Sequence, residues 1–154
     1  MLLKKKLAAV GVGVVVVVGL SSTPASATPS SSAFQDRSSP AKCLDFRADF
    51  GPYVTTCNYD SYQVWYWDNA IAHTALRQRA TKLCLTLRNG QPTMKPCAAA
   101  DQAALWAVDD TSTAGALIKN KVSGRCLARM ENDRVNATTC TGGASQRWDV
   151  INGL

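Results

Sequence analysis

Eight of the 11 aromatic residues of this chain crowd between Phe46 and Trp67: Phe46, Phe50, Tyr53, Tyr59, Tyr62, Trp65, Tyr66 and Trp67. Asp45 and Gln63 stand in the same stretch. Flat rings with polar tips, beside a carboxylate and an amide, can stack on an apolar face and exchange hydrogen bonds with hydroxyls. That is the chemistry of recognition, and such a Tyr cluster also suits a protein partner. Bond-breaking chemistry finds less support. His73 is the single His, no nucleophile motif accompanies the Ser residues, and Asp109–Asp110 reads as an ordinary turn. With one His and no C-x-x-C there is no zinc signature, and no Gly-rich phosphate loop is present. The expectation is a protein without enzymatic activity, cofactor or metal.

The elements that must carry these side chains show as a repeat. Cys-Leu recurs at Cys43, Cys84 and Cys126, and a Trp recurs at Trp65, Trp106 and Trp148. Both markers step by 41 and then 42 residues, so the chain holds three copies of one unit. Each copy has a turn in its middle, "DFGPY", "RNGQP" or "MENDR". Asn89–Gly90 is a strong hairpin signal. Runs such as "CLTL", "ALIKN" and "RWDVI" suit strands, and "DNAIAHTALRQRA" reads as a loop followed by a strand. A unit of about 40 residues with some four short strands cannot bury its own apolar face, so the three must share a core.

The six Cys fall into three near-equal local pairs, Cys43 with Cys57, Cys84 with Cys97 and Cys126 with Cys140. Such pairs imply an oxidising compartment. An export signal agrees with this. Lys4–Lys6 precede the apolar run Leu7–Leu20, and "ASA" ends at Ala27. Residues 1–27 are read as a signal peptide, 28–33 as a disordered lead-in and 34–154 as the folded domain. A secreted, extracellular product follows, with no stable membrane insertion after cleavage. Removing Lys4–Lys6 from the 17 Lys and Arg leaves 14 against 11 Asp and Glu, a net of +3. That balance argues against a nucleic-acid partner. The densest basic stretch, "RQRATK" at Arg77–Lys82, is expected to be a solvated face.

Three copies of Cys-Leu…Cys…Trp, two of them ending in Gln-x-Trp, resemble the ricin B-type lectin family. The resemblance implies an all-β fold, a β-trefoil with one disulfide per repeat. Trp65, Trp106 and Trp148 would pack in the shared core, and Gln146 would tie its loop to backbone groups. It also implies binding of a carbohydrate or cell-surface glycan. In that family an Asp after Cys-Leu accepts hydrogen bonds from sugar hydroxyls, an aromatic ring before the second Cys stacks on the sugar, and an Asn precedes the Gln. Here the Asp position holds Asp45, Thr86 and Ala128, the aromatic position holds Thr55, Lys95 and Thr138, and Tyr62 and Ser145 stand where the Asn would be in repeats one and three. In repeat two, Gln102 lies four residues before Trp106 rather than two. The first repeat is therefore the expected sugar site: Asp45 anchoring hydroxyls, Tyr53 or Tyr59 stacking, Tyr62 beside them and Gln63 supporting Asp45 or the ligand. The alternative is a trefoil depleted of sugar sites that docks on a protein or cell surface, as toxin subunits do.

Overall fold

The computed structural model describes residues 29–154, so the signal segment lies outside the described residues. The strands are β1 (Ser30–Asp36), β2 (Cys43–Arg47), β3 (Gly51–Thr55), β4 (Trp65–Trp67), β5 (Thr74–Ala75), β6 (Arg77–Gln78), β7 (Leu83–Arg88), β8 (Gln91–Pro96), β9 (Leu105–Val108), β10 (Ile118–Asn120), β11 (Cys126–Arg129), β12 (Val135–Thr138) and β13 (Trp148–Asn152). Two short 3₁₀ turns, Gln102–Ala104 and Ala144–Gln146, lead into β9 and β13. Every strand pairing is antiparallel.

The hairpins β2–β3, β7–β8 and β11–β12 each begin at a Cys-Leu. Asn89 and Gly90 close β7–β8 as a two-residue turn with φ of 50° and 77°. Both positive values are those a right-twisted hairpin requires, which is why Asn-Gly stands there. The remaining strands form a barrel wall. β1 pairs with β13 and β4, β4 with β6, β5 with β9, and β9 with β10. A bridge between Ala116 and Trp148 closes the ring. Three hairpins capping one closed barrel is the β-trefoil, and it leaves few free strand edges.

The core is built three times over. Leu44, Leu85 and Leu127 are fully buried, as are Trp65, Trp106 and Trp148. Each indole N–H donates to the carbonyl of the Leu 21 residues earlier, at 3.2, 2.8 and 3.1 Å. The Cys-Leu and Trp markers are thus two ends of one repeated contact. Phe34, Leu76 and Ile118 form a further buried set in the same core. The disulfides join Cys43–Cys57, Cys84–Cys97 and Cys126–Cys140.

The lead-in expected to be disordered is corrected at residues 30–33. Ser30–Ser32 pair with Trp67–Trp65, and Ser32 and Ala33 pair with Asn152 and Ile151. Ser and Pro gave this segment the composition of a flexible leader, but the hydroxyls of Ser31 and Ser32 are satisfied. Ser32 Oγ donates to Asn152 Oδ1 at 2.6 Å and accepts from Trp67 Nε1 at 2.9 Å. A polar strand can be buried when both neighbours supply partners.

Candidate functional site

The first hairpin places Asp45 and Tyr53 directly opposite each other across β2 and β3. The same register pairs Thr86 with Thr93 in repeat two and Ala128 with Asn136 in repeat three. The aromatic partner of Asp45 is therefore its cross-strand neighbour, four residues before the second Cys. Directly opposed side chains share one face of a hairpin and lie within contact distance. That face opens onto a cleft of about 680 Å³ lined by Asp45, Arg47, Tyr53, Asn58, Asp60 and Tyr62, among others.

Asp45 is only 6% exposed and is among the residues that line the cleft. Oδ1 accepts the Phe46 N–H at 2.6 Å, and Oδ2 accepts from Gln63 Nε2 at 3.1 Å. A carboxylate has about four acceptor directions, so roughly two remain for a ligand. Burial pushes the Asp45 carboxyl above its ordinary value of 3.8, against the opposing pull of the Phe46 N–H and of Gln63. Burial also raises the Tyr53 hydroxyl above 10.0, and the Asp45 charge adds to it. Tyr53 is half-buried and packs edge-on against Phe50 at 5.3 Å. The Arg134 guanidinium, from the third repeat, covers Phe50 at 3.8 Å.

Gln63 is fully buried and does not line the cleft. Its Oε1 accepts the N–H groups of Asn58 and Tyr59, while Nε2 donates to Thr56 O and Asp45. One amide thereby fixes both the loop after Cys57 and the orientation of the carboxylate. Gln146 does the first of these jobs in repeat three, with Oε1 on the Thr141 and Gly142 N–H groups and Nε2 on Thr139 O. Where it could reach an Asp, it donates to Thr138 Oγ1 instead. Repeat two has Ala104 two residues before its Trp, and Gln102 is exposed.

The loop after Cys57 supplies two further cleft residues that the family pattern does not mark, Asn58 and Asp60. Asn58 Oδ1 accepts the Asp60 N–H at 3.1 Å, Asp60 Oδ1 accepts the Tyr62 N–H at 2.8 Å, and Asn58 Nδ2 donates to Asp60 Oδ2 at 3.2 Å. Asn and Asp at this spacing form side-chain-to-backbone turns, a signal present in "CNYD". Arg47 and Asp49, which also line the cleft, meet as a paired fork at 2.7 and 3.2 Å. Tyr62 is 48% exposed at the rim. Tyr59, 41% exposed with a φ of 57°, does not line the cleft.

The equivalent place in repeat two is filled from within. Arg88 donates to Thr86 Oγ1 at 2.7 Å and to Asp101 at 2.5 Å. That hydrogen bond from Arg88 holds the Asp101 carboxyl below its ordinary value. In repeat three Ala128 has no polar group to offer, and Asn136 Oδ1 accepts the Ala137 N–H.

The family model described as ricin-type beta-trefoil lectin domain matches residues 31–150. No curated protein matches the chain. Among solved structures, a designed 3-fold symmetric protein, ThreeFoil, is similar at 18% identity and a TM-score of 0.66, over 79% of this chain and 97% of that one. SeviL, solved bound to asialo-GM1 saccharide, is similar at 14% identity and a TM-score of 0.66, over 82% of this chain and 100% of that one. The Haemophilus ducreyi cytolethal distending toxin is similar at 13% identity and a TM-score of 0.67, over 80% and 84%. At these identities the three agree with this chain in fold.

Proposed function

The chain belongs to the ricin-type β-trefoil lectin family, and from that premise we propose that it is a secreted carbohydrate-binding protein that works without catalysis, through its first repeat. The observation that carries the reading is the opposed pair Asp45 and Tyr53, with Gln63 buttressing the carboxylate, at the wall of the cleft. The free acceptor directions of Asp45 take sugar hydroxyls. Asn58 and Asp60 add an amide and a carboxylate on the facing loop, and the rings of Tyr53 and Tyr62 offer apolar faces for the sugar's C–H groups. A single shallow site makes the binding weak, so multivalent glycans are the expected targets. Secretion is supported by the three disulfides and the apolar leader, and no helix among the described residues is long and apolar enough to cross a membrane.

The test is Asp45→Ala on a glycan array and in calorimetry. A hydrogen bond to a charged group is worth about 1.5–3 kcal/mol, so the variant should bind roughly tenfold to a hundredfold more weakly. Equal binding by the variant would remove the site from this cleft. A second reading is favoured by the loss of the Asp in repeats two and three and by the exposed Tyr59 and Tyr62. It takes the protein as a docking module for a protein or cell surface. Capture from target-cell membranes that free sugars do not inhibit would favour it over the sugar reading.

A further inference from the structure

We propose a second ligand surface on this protein, a basic stripe that binds the sulfate or carboxylate groups of an anionic glycan. Tyr66, Arg77, Cys84 and Lys95 are successive cross-strand partners over β4, β6, β7 and β8. Directly paired residues project from the same face, and at about 4.8 Å per strand the row is roughly 14 Å long. Arg77 and Lys95 are exposed along it, and Lys82 joins from the turn between β6 and β7. The Arg77 guanidinium lies 5.4 Å from the Tyr66 ring centroid and the Lys82 ammonium 5.7 Å. Arg79 is also near, at 5.5 Å, but is committed to Tyr66 OH and to the Leu154 main-chain oxygen, so it steadies the ring.

Among the described residues none of these four cations has an Asp or Glu as ion-pair partner, whereas Arg37, Lys42, Arg47, Arg88 and Arg129 all do. Asp68 lines the depression beside Tyr66 and Arg77, but its Oδ1 accepts the Ala70 N–H of its own loop. The π face of Tyr66 offsets part of the mutual repulsion. The remaining positive potential draws an external anion.

The choice of a glycan over another polyanion rests on the sugar reading of the first-repeat cleft; the stripe itself does not. Thr81 lines that cleft and is followed in the chain by Lys82. A saccharide seated in the cleft can therefore continue onto the stripe. The cleft sets three carboxylates, Asp45, Asp49 and Asp60, against Arg47, so it disfavours an acidic sugar. Any anionic group must then lie outside it, where the cations are. The Tyr66 ring, already covered by cations, is a poor platform for a nucleic-acid base.

The experiment measures retention of the full chain on immobilised dextran sulfate, polygalacturonate and neutral dextran across a salt gradient. We expect salt-sensitive retention on one or both anionic polymers and none on neutral dextran, the stronger of the two identifying sulfate ester or carboxylate. The Arg77→Ala/Lys82→Ala variant should bind about tenfold more weakly, while Lys119→Ala/Arg125→Ala, with the same charge change elsewhere, should stay within about twofold. Equal loss in both variants, or none in the first, would overturn the stripe. Duplex DNA competing as well as dextran sulfate at equal charge would overturn the glycan. If anionic polymers bind through Arg77 and Lys82 while no neutral saccharide binds anywhere, the cleft reading fails and the stripe stands.

Discussion

Asp45 makes the sharpest claim at the scale of single residues. Its carboxyl is raised by burial, and the ligand reading needs it ionised. Sugar affinity should hold above the folded pKa and fall as the carboxyl protonates, with the half-loss above pH 3.8. A pH series of calorimetric titrations reads this directly, and an affinity flat down to pH 3.8 would exclude Asp45. Gln146 gives the matching structural prediction. It is 3% exposed and bonds to the Thr141 and Gly142 N–H groups and to Thr139 O. Gln146→Ala should cost about 1–3 kcal/mol in urea unfolding, because buried polar groups are left without partners. The role of this Gln was legible in the sequence from its place in the repeat. The roles of Asn58 and Asp60 were not, because an Asx turn becomes a cleft wall only when a hairpin folds against it.

At the scale of elements, the three hairpins are alike in register and different in what they present. Asp45 faces Tyr53, Thr86 faces Thr93, and Ala128 faces Asn136. Counting back from the second Cys alone placed the aromatic position at Thr55, which is opposite Cys43 in the register. Spacing along one strand cannot reveal which residue lies across from which, since turn geometry sets that offset. The disulfides that brace these hairpins also differ in access. Cys97 is exposed, while Cys57 and Cys140 are partly covered. Thiol–disulfide exchange requires reach to a sulfur, so limiting reductant should open Cys84–Cys97 first. Alkylation and peptide mapping at partial reduction would show the order. Each bridge closes a loop of 13 or 14 residues, worth about 3 kcal/mol by chain-entropy arithmetic, so its removal should lower the melting temperature.

At the scale of the whole molecule, barrel closure depends on β1. It is bonded to β13 on one side and to β4 on the other. A chain beginning at Phe34 should therefore lose cooperative unfolding and near-ultraviolet dichroism, whereas a disordered leader could be cut without effect. Two ion pairs are sensitive to acid. Lys42, with help from Arg129, holds Asp133 below its ordinary carboxylate value, and Arg88 does the same for Asp101. A lowered folded pKa adds stability above the unfolded value, and that stability is lost as pH falls through the folded one. Asp133→Asn should then melt lower than the native chain at pH 7, with the gap closing below about pH 4. A gap that persists at pH 2 would assign the effect to packing instead.

The threefold repeat and the three local Cys pairs are legible in the residues alone, and the Trp core and the trefoil follow from the family resemblance that those residues carry. The repeat shows in residue types recurring at a fixed period, and a period is a property of the chain alone. Only the folded chain shows that Ser30–Ala33 belong to a strand, with Ser32 and Ala33 buried, because partners from β4 and β13 satisfy a polar segment that looks soluble in isolation. The tertiary structure also decided how the aromatic cluster divides. Trp65 and Trp67 go to the core, Tyr53 and Tyr62 to the cleft, and Tyr66 to the basic stripe. Strand alternation and cross-strand register make that division, and both depend on which strands become neighbours.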